Sequence, residues 1–248
     1  MPTTAGGADE PLMPSPDLRP SPGGKDSSGL CGFWSGLEHR PGAPACAAQV
    51  AERRGDTLLN MMLFIEMFTL NRAWSDLSQD EFFWEPVAGS WSVRRRNECR
   101  TPNPFGKGDW VVDFDAGVVE GKSVEPLTTI AWLFWHVGSM PGRAAELDFL
   151  GGTESAESGW TSPYFVDHPV FLASGEAVEV MRNGWRALDQ AIRASTDNDL
   201  DQDTRFWTGP PAKGYQIVAS ILNEISHHGT QVCVLRDLYR AVDRRSFG

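Results

Sequence analysis

The sequence predicts an all-α protein, an antiparallel four-helix bundle with a long loop between its first and second main helices. Three observations predict it. Four long segments carry apolar residues at spacings of three and four. Aromatic residues are plentiful, with 10 Trp and 13 Phe, enough for a packed core. A chain of 248 residues is long enough to bury that core without covalent staples.

Residues 1–48 come first and differ from the rest. "MPTTAGGADEPLMPSPDLRPSPGGKDSSG" is rich in Gly, Pro and Ser and repeats with neither period 2 nor period 3.6. It reads as a disordered tail, which leaves 49–248 as the folded domain. The first helix is expected over 56–76, where "TLLNMMLFIEMFTLNRAW" is apolar on a broad face and Asp56 can cap it. A short helical pattern, "LSQDEFFWEP", ends at Pro86. Residues 87–125 then form a Gly- and Pro-bearing connection, long enough to suggest a lid or a site wall. "DWVVDF" within it can form a strand, and "RRR" at 94–96 reads as a solvated loop.

The second main helix is expected from Pro126, with "PLTTIAWLFWHVGSM" interrupted at Pro141 and resuming to Gly151. A loop, 153–169, follows. The third helix covers 174–195 and the fourth about 212–242.

The fourth helix contains "ILNEISHHGTQVCVLRDLYR". On a wheel of 100° per residue, Val218, Ile221, Ile225, Val232 and Tyr239 cluster about Ile225, which marks the core direction. His228 lies about 60° to one side and Glu224 about 100° to the same side, with Gln231 just beyond. Glu224 and His228 are i and i+4 and stack on one edge, whereas His227 points away from the core. The other histidine on a strongly apolar helix is His136, beside Trp132, Leu133 and Met140 on its wheel. Two imidazoles and a carboxylate on facing helices can hold a divalent ion and leave positions open. His39 lies in the tail, and His168 precedes a proline in a loop.

"FFWEPVAGSWSVR", "PLTTIAWLFWHVGSM" and "LNEISHHGTQVCVLRDLYR" together resemble the DinB-like superfamily over residues 50–242. The resemblance implies a four-helix bundle of DinB type, with a divalent metal bound by one histidine of the second helix and a pair spaced i, i+4 on a later helix. Carried onto this chain, it implies His136, Glu224 and His228 as ligands. Many members have histidine at the position of Glu224; the mycothiol-dependent maleylpyruvate isomerase branch is similar in using His, Glu and His. Gln231 is then expected to support His228. The metal expected is zinc first, with nickel, iron or manganese as the other ions. Family members use low-molecular-weight thiols, so the implied activity is a metal-dependent thiol S-transferase or a thiol-dependent isomerase acting on a small electrophile, with mycothiol as co-substrate. The rival reading is a non-catalytic, stress-related metal-binding or interaction module.

A net charge of −11 argues against a nucleic-acid partner. No apolar run reaches the roughly 18 residues of a membrane span, so no membrane partner is expected. Four cysteines without a C-x-x-C pair, and no apolar leader, fit a cytoplasmic protein. A homodimer is the assembly to test for.

Overall fold

Helices dominate the computed structural model, which describes residues 53–115, 127–146, 170–204 and 212–246. The expected tail at 1–48 and the loop carrying His168 lie outside the described residues. So does the end of the 87–125 connection.

Helix α1 (Arg54–Ile65) runs through a π-helical turn (Glu66–Leu70) into α2 (Asn71–Trp74). Asp56 sits in the first turn and does not cap it. The Arg54 N–H instead donates to Asp197, 2.9 Å away in sequence-distant chain. Leu58, Met62 and Ile65 face inward at α-helical spacing, and the next inward residue is Leu70, five positions on. The π turn supplies the extra residue that returns the apolar face to the core. Phe64, Met67 and Phe68 are exposed, so the broad apolar face of this segment is buried only in part.

Helix α3 (Gln79–Phe83) starts with a capping box between Ser78 and Glu81. Strand β1 (Ser92–Arg95) pairs antiparallel with β2 (Trp110–Asp113), Val93 opposite Val112. The strand in "DWVVDF" is therefore present. Arg94 corrects the reading of "RRR" as a solvated loop: it lies in β1 and donates to Glu85 (2.6 Å), to Asp113 (2.9 Å) and to the Ser90 carbonyl (2.8 Å). Asp113 is buried and also accepts from the backbone N–H groups of Arg100 and Thr101. The arginine has the acceptors it needs inside the protein.

Helix α4 (Ile130–Val137) begins later than Pro126, because Thr129 caps it by accepting from the Trp132 N–H. Thr129 is itself tied to the hairpin edge through the Trp91 carbonyl at 2.8 Å. The break falls at Gly138–Ser139, and Pro141 occupies the first turn of α5 (Met140–Glu146), where its missing N–H costs nothing. Helix α6 (Ser174–Ala194) buries Ala177, Val178, Met181, Trp185, Leu188 and Ile192. The short α7 (Asp197–Leu200) and a two-residue pairing of β3 (Asp203–Thr204) with β4 (Ala212–Lys213) lead into α8 (Gly214–Ser246). These residues belong to one compact unit, Ala51–Gly248.

The helix directions differ from an all-antiparallel arrangement. Arg54 lies over Tyr215, Thr69 meets Cys233, and Arg72 pairs with Asp237, so α1 and α8 run the same way. Gly55 meets Ile192 while Glu66 accepts from Trp185, so α6 runs opposite to α1. Trp132 meets His228 and His136 meets Glu224, so α4 runs opposite to α8. Helices α4 and α6 therefore share a direction, which requires a long connection, and the one at 147–173 is long enough. Among the described residues no helix is long and apolar enough to cross a membrane.

Candidate metal centre

Helix α4 is buried at every position except His136, its one ionisable residue. Trp132, one turn earlier, stacks on the His136 ring at 5.1 Å and 24°. Behind Trp132 stand Trp91 at 5.7 Å and Trp135 at 6.0 Å. The hairpin thus fixes Trp91, Trp91 packs on Trp132, and Trp132 sets the plane of His136.

Helix α8 faces α4 with Val218, Ile221, Leu222 and Ile225 fully buried. Glu224 and His228 stand on the edge of that face, as their spacing predicts. Gly229 lets α8 sit close on the π turn, because a Cβ there would lie 2.7 Å from Thr69 Cγ2.

The structure brings His136, Glu224 and His228 together. One donor atom from each lies within 4.8 Å of the others. Glu224 Oε2 is 3.3 Å from His228 Nε2 and 3.8 Å from His136 Nε2. Bonds of about 2.0–2.2 Å to a tetrahedral ion place donor atoms about 3.3–3.6 Å apart, so the two Glu224 contacts already fit and the widest pair would close by roughly an ångström or a little more. The histidine side chains are 12% exposed and that of Glu224 36%, which leaves one open side.

Gln231 Oε1 lies 2.7 Å from His228 Nδ1. Nδ1–H donates to it, which leaves the Nε2 lone pair aimed at the Glu224 carboxylate. Burial, and then the neighbouring His136, push the His228 pKa down and keep the ring neutral. Interaction with the neighbouring His136, aided by His228, outweighs burial and holds the Glu224 carboxyl below its ordinary value. A neutral His228 imidazole and an ionised Glu224 carboxylate are the protonation states a metal site needs.

His227 is exposed and stacks on the outer face of His228 at 4.8 Å, with its Nε2 3.3 Å from Gln231 Nε2. It is not among the converging donors. Arg236, on the same helix, is buried at 2% exposure. It binds Glu81 at 3.2 Å and the Arg72 carbonyl at 2.6 Å, joining α8 to α2 and α3.

Two large clefts flank these helices. The larger, about 720 Å³, lies between α1 and α6 and has none of the three donors in its wall. The other, about 590 Å³, is walled by His228, Gln231, Trp132 and Trp91 and is the one that belongs to the site.

No protein-family model matches the chain, and neither curated proteins nor solved structures give a significant match. The likeness to the DinB-like superfamily rests on the quoted motifs alone.

Proposed function

We propose that the chain is a divalent-metal-dependent enzyme of the DinB-like type, built on a four-helix bundle. It uses a low-molecular-weight thiol such as mycothiol in an S-transfer or isomerisation reaction on a small electrophile. The observation that carries this reading is the convergence of His136, Glu224 and His228 on one point from two facing helices. The paired helix directions with a long crossover connection support the bundle reading. Zinc is the first choice for this donor set, and nickel, iron and manganese suit it also.

When bound, such an ion supplies Lewis acidity that favours the thiolate form of a thiol brought to it. The chain's own residues do the rest. Gln231 fixes the His228 tautomer, Trp132 covers one face of His136, and the aromatic wall keeps water from the inner side of the site. The described thiols, Cys99 and Cys233, are not bridged, in keeping with a cytoplasmic setting. The deciding measurement is elemental analysis of protein purified without chelator. About one divalent ion per chain is expected, and none at neutral pH after zinc is offered would refute the reading.

A specific observation favours a second reading. Leu63, Phe64, Met67 and Phe68 are 52%, 53%, 55% and 70% exposed on one segment. Such a stripe suits a non-catalytic interaction module or a homodimer. Light scattering across a range of concentrations distinguishes them: a monomer at all concentrations removes the homodimer.

A further inference from the structure

We propose that the cleft between α1 and α6 binds a zwitterionic α-amino acid with a bulky apolar side chain, at a site separate from the metal centre. Its volume of about 720 Å³ falls within the range of about 300–1,000 Å³ usual for small-molecule sites. None of His136, Glu224 and His228 lines it, so the assignment does not rest on the metal reading.

Charge decides the class. Three carboxylates, Asp56, Glu66 and Asp189, and three guanidinium groups, Arg182, Arg186 and Arg193, line the cleft. The two signs balance, so the wall as a whole favours neither an anion nor a cation. At one end the charges answer one another within the protein. Arg193 donates twice to Asp189, at 2.7 and 3.0 Å, and Asp56 follows the Gly55–Ile192 contact at that same end.

At the other end Glu66 and Arg182 are each held by a tryptophan. The Trp185 indole N–H donates to Glu66 Oε2 at 3.2 Å, and the Arg182 guanidinium lies 5.3 Å from the centre of the Trp74 ring. Trp74 and Trp185 are buried, at 6% and 4% exposure, so they form the floor that carries these charges and leave the charges to meet a ligand. Among the described residues Glu66 and Arg182 form no ion pair with each other. A compound carrying both an ammonium and a carboxylate completes this end. Its ammonium donates to Glu66 and its carboxylate accepts from the Arg182 fork, with Arg186 one turn further along α6. A compound with a single charge loses one of the two contacts.

The backbone marks the same place. Turns of π-helix are rare and recur at functional sites, and Glu66 opens the one in this chain's first helix. Beyond the charged end the wall of α1 continues through Leu63, 52% exposed, and Leu59, which suits an apolar side chain.

The test is an NMR titration of the full chain with four probes. L-Phenylalanine is the first. 3-Phenylpropanoate lacks its ammonium, 2-phenylethylamine lacks its carboxylate, and L-alanine lacks its ring. L-Phenylalanine should bind at about one per chain with a Kd below about 1 mM, and each of the others at least about tenfold more weakly. Glu66→Gln and Arg182→Gln should each weaken L-phenylalanine about tenfold. The first should not weaken 3-phenylpropanoate and the second should not weaken 2-phenylethylamine, a pattern that a loosened fold would not produce. Absence of saturable L-phenylalanine binding overturns the proposal. So does 3-phenylpropanoate or 2-phenylethylamine binding as tightly, which makes the cleft a simple anion or cation site, and so does L-alanine binding as tightly. Binding that neither variant weakens lies elsewhere, at the metal centre for one, and also overturns it. Zinc uptake is measured on probe-free samples, so the cleft and the metal reading can each fail without the other.

Discussion

Gly184 sits in the middle of α6, where glycine ordinarily weakens a helix. Replacing it with alanine should nevertheless destabilise the protein. A Cβ built there lies 2.6 Å from Gly142 N, 3.0 Å from Gly142 Cα and 3.4 Å from the Pro141 carbonyl carbon. Comfortable contacts begin near about 3.5 Å, so the overlap approaches an ångström. All three atoms are backbone, and no rotamer change can relieve them. Helices α5 and α6 must separate, which puts the cost at the upper end of the about 1–3 kcal/mol for overpacking. Alanine's better helix propensity returns about 1 kcal/mol. The net loss is about 2 kcal/mol, or a Tm lower by about 4–8 °C in a domain of this size. Gly175, in the first turn of the same helix, has nothing within 4 Å of its Cβ position. Gly175→Ala should be neutral or stabilising by about 0.5 kcal/mol. Urea melts of the two variants, compared at equal m-values, decide it. If Gly184→Ala is as stable as Gly175→Ala, the α5–α6 contact is not as close as described. Because α5 continues α4 across Gly138–Ser139, Gly184→Ala should also shift His136 and weaken zinc binding.

At the site, Glu224→Gln keeps the shape and removes the charge, and zinc affinity should fall more than about tenfold under a competing chelator. Glu224→His should retain more affinity than Glu224→Gln, and superimposable curves for all three proteins would remove Glu224 from the donor set. His228→Ala should abolish most zinc uptake while His227→Ala changes it little; equal losses would contradict the geometry. For Glu81, burial pushes the carboxyl up, but hydrogen bonds from Arg236 and the Ser78 N–H, with the charges of Arg236 and Arg240, hold it below the ordinary 4.5. A depressed folded pKa gives stability that is present above the unfolded value and lost as pH falls through the folded one. The urea midpoint should therefore drop below about pH 4.5, and a midpoint flat from about pH 6 to about pH 3 would refute this.

The site was more legible in the sequence than the architecture around it. Periodicity of three and four located α6 and α8 within a few residues, because both bury one continuous stripe. The Glu224–His228 edge followed from the wheel, and His136 stood out as the ionisable residue of an apolar helix. The π turn was invisible because one inserted residue shifts the apolar face without breaking the apolar run. Strand β1 carries arginines where alternation would show a strand, and their partners Glu85 and Asp113 are set by folding, not by spacing. Arg236 did carry a signal, lying about 20° from the Ile225 direction on the wheel. A charged residue on a core face needs a buried partner, but Glu81 is 155 positions away and no local pattern points to it. The helix directions were fixed by the long connections, whose course the apolar pattern does not record.

The shared direction of α1 and α8 governs how anything can be tethered to this protein. Arg54 rests on Tyr215 with 5.4 Å between guanidinium and ring, so α1 starts where α8 starts. Helix α8 then runs on for 33 residues, which at 1.5 Å per residue carries its far end about 45 Å from Arg54. Domain termini are more often close together. A label or fused domain placed before residue 54 and another placed after residue 246 would be held at opposite ends of a rigid strut. A circular permutant joining those ends needs a linker of at least about thirteen extended residues, and a short one would tear α8 away from the helix that carries His136.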